Sequence, residues 1–208
     1  MRTHRVLWPI IVLFSAVATL RAIPRVLVIR PGDANETAVA WRVAIESKKS
    51  PVALILSRQD VSTLDRKMVA SANGLRSGAY ILSDVENEKP ELIMIASGSE
   101  VGLIVEAKKE LEKQNISVRL VSMPSWELFE SQTPEYRDKV LPKSVRAKLV
   151  VEAGRSQGWC KYAGNDGEIL GIDKFGASAP GEIVMEKYGF TVDAVCKHAL
   201  ALLKKSRS

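Results

Sequence analysis

Apolar residues in this chain gather into short continuous runs, separated by longer stretches in which they recur every three or four positions. "RVLVIR" (25–30) reads as a buried strand. Pro31, Gly32, Asp33 and Asn35 follow as a turn. Asp33 suits a helix N-cap, with Glu36 three residues on as in a capping box. The helix should run over 34–47, with Ala40, Trp41, Ala44 and Ile45 near one face. "VALILS" (52–57) is the next strand, so the first unit is βαβ, with parallel strands and a right-handed crossover. Residues 60–90 are polar and read as a linker, with a short strand at 78–84.

The pattern restarts at "ELIMIAS" (91–97), a strand that turns into a helix over 98–115. Val101, Ile104, Val105 and Leu111 form that helix's apolar stripe. "SVRLVSM" (117–123) and "AKLVVEAG" (147–154) are strands, with short helices or turns between them, and a further short strand lies at 169–172. A helix over 181–189 closes at Gly189, and Thr191 caps the last helix, whose basic end complements its dipole. Repeated strand–helix alternation predicts an α/β fold: a doubly wound, mostly parallel sheet preceded by a partial βαβ unit.

The first residues break this pattern. "MRTHRVLWPIIVLFSAVATL" has a basic start, an apolar stretch and an Ala16-Val17-Ala18 site, the layout of a secretory signal peptide. A membrane anchor is the weaker reading, because the stretch is shorter than the ~20 residues that span a bilayer; the third is a junction left where a longer coding sequence was cut or mis-spliced.

Composition narrows the chemistry. The net charge of +6 is modest, much of it lies at the chain ends, and no basic block carries interleaved aromatics, so no nucleic-acid partner is expected. Two distant cysteines, Cys160 and Cys196, read as buried free thiols. With only His4 and His198, few candidates exist for a metal cluster or a histidine-dependent triad.

Three short motifs remain. "ASGSEV" (96–101) is a strand-to-helix turn with Ser99 as N-cap, or a backbone cradle for an anion. "GNDGE" (164–168) is a surface turn. "SRQ" (57–59) sets Arg58 at the carboxyl end of a strand, where doubly wound sheets bind ligands. A guanidinium fork there suits a phosphate or carboxylate, and an ion-paired surface arginine is the alternative.

From about residue 20 onward the chain resembles the C-terminal part of transketolase, in "LRAIPRVLVIRPGDANETAVAWRVAIE" (20–46), "PVALILSRQ" (51–59), "LIMIASGSEV" (92–101), "VRLVSMPSWELFE" (118–130) and "GIDKFGASAPGE" (171–182). "SRQ" and "GIDKFGASAP" fit transketolase better than deoxyxylulose-phosphate synthase or oxo-acid dehydrogenase β subunits. The resemblance implies the end of a pyrimidine-binding domain over 20–77 and a complete C-terminal domain over 78–208, with 1–19 outside the family. It implies descent from a thiamine-diphosphate enzyme, dependent on Mg²⁺ or Ca²⁺, that moves a two-carbon ketol unit between sugar phosphates in the pentose phosphate pathway. It gives Arg58 the role of binding the substrate's terminal phosphate, and Asp33 a structural role in the "RPxDxxE" turn.

The family's GEDGPTH segment, its cofactor-activating glutamate and its diphosphate- and metal-binding domain are not in the sequence. The chain is therefore expected to bind no cofactor and to be inactive alone. The second reading is an interaction module that binds a full-length transketolase subunit, a second copy of itself or another partner. A cytoplasmic location is expected, or a secreted one if residues 1–18 act as a signal. The junction at Leu20–Arg21, partway through a domain, favours the truncated or mis-predicted gene.

Overall fold

A computed structural model describes residues 16–57, 59–85, 89–174 and 181–207. Residues 16–21 are helical (α1). A two-stranded parallel sheet follows, β1 (Leu27–Ile29) beside β2 (Val52–Leu54), with helix α2 (Ala34–Glu46) crossing between them. The second sheet has the order β3-β5-β4-β6-β7, built from β3 (Tyr80–Ser83), β4 (Leu92–Ala96), β5 (Val118–Ser122), β6 (Lys148–Val151) and β7 (Glu168–Leu170). Only β3, at the edge, runs antiparallel to its neighbour; the other pairs are parallel. The fold is α/β with a mostly parallel sheet, as the sequence pattern predicts.

Alternation along each strand fills two layers. Leu92, Met94 and Ala96 of β4 face helices α3 (Glu100–Glu112) and α8 (Val192–Arg207). Ile93 and Ile95 face the other side, with Phe129 of α4 (Trp126–Glu130), Val140 of α5 (Pro134–Val140) and Tyr162 of α6 (Cys160–Ala163). Burying an aliphatic side chain of this size contributes about 1.5–3 kcal/mol. Helix α7 (Gly181–Lys187) ends near Gly189, which adopts φ 83°. The Thr191 hydroxyl accepts the Ala194 N–H at the start of α8, as a cap should.

The structure corrects several expectations. On α2, Val39, Ala40 and Val43 face the core, whereas Trp41 is 53% exposed and Ile45 79% exposed. The inner face is chosen by Ala72 and Leu75, which lie in a 3-10 turn (Ala72–Ser77) inside the expected linker. That segment therefore packs on α2 and leads into β3. Cys196 is buried as expected, but Cys160 is exposed, because α6 turns Tyr162 and Ala163 inward instead. Ser99 makes no capping bond; its hydroxyl donates to the buried Glu100 carboxylate at 2.6 Å. "GNDGE" is a turn, as expected, and its last residue opens β7; Asp166 pairs with Arg146 and Glu168 with His198. Among the described residues no helix is long and apolar enough to cross a membrane.

Candidate functional site

In a parallel sheet, ligand chemistry collects where the strand order reverses, at the carboxyl ends of the strands. Here that point lies between β4 and β6. The chain leaves β4 toward β5 on one side and returns to β6 on the other. Ser97 and Glu100 follow β4, and Glu152 follows β6; all three are buried.

Arg30, at the carboxyl end of β1, fills this crevice. Its Nη1 lies 2.6 Å from Glu100 Oε2 and 2.7 Å from Glu152 Oε2. The Ser97 hydroxyl donates to Glu152 Oε2 at 2.6 Å, and the Ala153 N–H donates to Glu100 Oε2 at 3.1 Å. Backbone bonds hold the arginine in place. Arg30 N–H donates to Pro124 O at 2.8 Å, and Gly98 N–H to Arg30 O at 3.0 Å. Gly98 has φ 61°, and a Cβ there would meet Arg30 Nε at 2.6 Å. Only glycine allows both the left-handed backbone and the close approach.

Charge in this closed site is balanced in pairs. One guanidinium faces two carboxylates. A second cation, Arg21 at the end of α1, reaches Glu152 Oε1 at 3.4 Å and stacks on the Trp126 ring at 3.9 Å. Burial raises the Glu100 pKa against the pull of Arg30, and the neighbouring Glu152 raises it further. Burial disfavours the Arg30 charge, but Glu100 and Glu152 outweigh it and hold its pKa above the ordinary value. Burial lowers the Arg21 pKa against the pull of Glu152.

A second buried polar network lies on the β3 side. Asp33 caps α2 through the Glu36 N–H at 2.8 Å and takes Arg66 Nη2 at 2.7 Å. Glu36 departs from the expected capping box: it accepts the Gly32 N–H at 2.7 Å, not that of the cap residue. Its other oxygen accepts the Tyr80 hydroxyl at 2.7 Å and the Ser122 hydroxyl at 2.6 Å. Two acidic side chains of the βαβ unit are thus satisfied by the second sheet and by the segment between the sheets.

Arg58 lies outside the described residues. Its neighbours Ser57 and Gln59 are exposed, and the Ser57 hydroxyl donates to Gln59 O at 2.9 Å. Gln59 reaches the start of α7, where a Cβ on Gly181 would lie 2.5 Å from Gln59 Nε2. The cluster of Arg30, Glu100 and Glu152 is absent from the sequence reading. Its signal was present, since three predicted strands or strand–helix turns end in Arg30, Glu100 and Glu152, with opposite charges to match.

These features define a doubly wound α/β domain joined to a βαβ unit through its own switch-point crevice. A family model described as "Transketolase-like TK C-terminal domain" matches residues 78–191, and one described as "Transketolase, pyrimidine binding domain" matches residues 14–63. The chain belongs to the transketolase family. A Geobacillus stearothermophilus transketolase is 53% identical over 188 residues, covering 90% of this chain and 28% of that protein. A Bacillus subtilis transketolase is 50% identical over 188 residues, with the same coverage of 90% and 28%. The solved transketolase from Leishmania mexicana superposes with a TM-score of 0.84 at 43% identity, covering 92% of this chain and 27% of that one. The chain thus spans under a third of the length of these relatives.

Proposed function

We propose that this chain is the C-terminal part of a transketolase, which moves a two-carbon ketol unit between sugar phosphates, and that these 208 residues do not perform the transfer alone. The observation that carries this reading is the ordered match to two successive transketolase segments, 14–63 and 78–191. We read 20–77 as the end of the pyrimidine-binding domain and 78–208 as the C-terminal domain. In this reading Arg58 binds the terminal phosphate of the sugar. The parallel pairing of β2, the strand that precedes Arg58 in the sequence, supports that role, since ligands gather beyond the carboxyl ends of such strands.

The residues present do not fit thiamine diphosphate with Mg²⁺ or Ca²⁺. The buried acids Asp33, Glu36, Glu100 and Glu152 are already bound by Arg66, Tyr80, Arg30 and Ser97. Among the described residues no cluster of metal-ligating side chains forms. Ketol transfer needs the cofactor as electron sink, and an arginine that binds phosphate positions a substrate without reacting with it. No step is therefore assigned to this chain's residues. An assay of the purified chain with thiamine diphosphate, Mg²⁺, xylulose 5-phosphate and ribose 5-phosphate should stay at the blank, and turnover above it would sink the proposal.

A second reading is an interaction module that pairs with a full-length transketolase subunit or with a second copy of itself. It is favoured by the exposed Trp41 and Ile45 on α2, beside a sheet that has two strands among the described residues. Sedimentation of the chain with and without G. stearothermophilus transketolase tests it. Co-sedimentation supports the module; two independent boundaries oppose it.

A further inference from the structure

A cleft of about 520 Å³ opens on the α4–α6 face of the five-stranded sheet. That volume lies in the range of small-molecule sites. Its floor is Lys148, the first residue of β6, which points to this side of the sheet along with Val150. Lys148 is only 8% exposed, and the acids that act on its ammonium, Asp138 and Asp166, do so from beyond ion-pair distance. A lysine this covered is normally matched by a carboxylate in direct contact, so its ammonium has room for an anion.

The surroundings set the sign and shape of what would match it. Lys143, Arg137 and Lys161 stand at the rim with Lys148 beneath, against two acids, Glu130 and Asp138. Glu130 is already taken by Arg137 at 3.0 Å and Lys161 at 2.8 Å. Asp138 and then Asp166 act on Lys148 only from beyond ion-pair distance; Asp138 accepts the Lys143 N–H at 3.4 Å, and Asp166 is held in a two-bond pair by Arg146. The cleft is therefore net positive. Its walls are apolar and aromatic: Phe129 and Tyr162, with ring centroids 6.1 Å apart, and Leu141.

We propose that this cleft binds a small organic phosphate, with the phosphate on Lys148 and the rim cations and the organic body against Phe129 and Tyr162. Lysine suits a phosphate as a point charge, and the aromatic walls call for a ligand that is more than a bare anion. Burial lowers the Lys148 pKa, and an anion in contact with the ammonium would reverse that effect. The site lies in the C-terminal domain, and the proposal stands whether or not the chain is active.

Calorimetric titration of the 208-residue chain with phenyl phosphate, inorganic phosphate and phenol, at low salt, tests the site. Phenyl phosphate should bind, and more tightly than either of the others. Lys148→Met should weaken it by at least about tenfold. The same variant should unfold at an equal or higher temperature, since a largely covered charge with no direct ion pair gives way to an apolar side chain of similar length. Asp138→Asn removes a competing negative charge and should tighten binding several-fold, a gain that misfolding cannot imitate. The proposal is overturned if phenyl phosphate does not bind at about 10 mM, if inorganic phosphate binds equally well, if Lys148→Met leaves affinity unchanged, or if that variant melts lower because the lysine holds the fold.

Discussion

Arg30, at the end of a strand in the small N-terminal sheet, places its Nη1 2.7 Å from the carboxylate of Glu152, at the end of a strand in the large one. The crevice where a doubly wound domain would hold a ligand is thus occupied by the chain's own arginine. This contact, with Glu100 and Arg21 around it, makes the βαβ unit and the C-terminal domain share one charged core.

Removing the arginine should be costly. Arg30→Met leaves Glu100 and Glu152 buried together with only Arg21 nearby. Breaking a buried pair by deleting one partner costs about 3–5 kcal/mol, a large part of an ordinary domain's stability. Urea unfolding at pH 7 should show that loss. Adding Glu100→Gln to Arg30→Met should recover part of it, by removing one of the stranded charges. If Arg30→Met alone is within about 0.5 kcal/mol of the parent, like an ordinary surface change, the cluster is not what joins the two sheets.

What the sequence made legible, and what it hid, follows from the range of each interaction. The central strands of the large sheet could be read because their continuous apolar runs are local. The cap at Asp33 could be read for the same reason, as its bond to the Glu36 N–H spans three residues. The Arg30 cluster leaves only its charged strand ends as a local signal, and nothing local says which of them meet. Arg30 meets Ser97 across 67 positions, and Arg21 meets Glu152 across 131. The facing of α2 was misread because apolar residues lie on more than one side of it. Its inner side is fixed by Ala72 and Leu75, in a segment too polar to look structured. Arg58 came from the family motif and from its place at a strand end, and no local pattern separated it from a surface arginine.

Gly98 carries a double constraint. A left-handed backbone costs a non-glycine residue about 1–2 kcal/mol, and a Cβ would also press on Arg30 Nε. Gly98→Ala should therefore destabilise by more than the backbone term. The excess should shrink in the Arg30→Met background, where the guanidinium is gone and the Cγ, 3.0 Å from the added Cβ, remains. A double-mutant cycle reads this directly. Strictly additive losses would show that the clash is not with Arg30.

Glu36 should make stability depend on pH. Burial raises its pKa from the ordinary value of 4.5, against hydrogen bonds from Ser122, Gly32 and Tyr80, and nearby Asp33 adds to the rise. The folded state therefore holds this proton more tightly than the unfolded one. The contribution is complete below about 4.5 and is lost as pH rises through the folded value. Glu36→Gln removes the titration. The stability of the parent minus that of the variant should fall between pH 4 and pH 7 in paired urea titrations. A difference that grows with pH would mean that the hydrogen bonds win over burial and depress the pKa.

Trp41 and Ile45 sit one helical turn apart on the outer side of α2, both exposed, and the sheet behind them has two strands among the described residues. Two large apolar groups on one helix face form an adhesive patch and contribute little to the folded monomer. Replacing both with serine should change unfolding stability by less than about 0.5 kcal/mol each. The same change should shift sedimentation profiles of the concentrated chain toward monomer. A parent chain that is already monomeric at high concentration would show that the patch is not adhesive. A variant that loses several kcal/mol would show that α2 packs through this face, contrary to the exposure seen here.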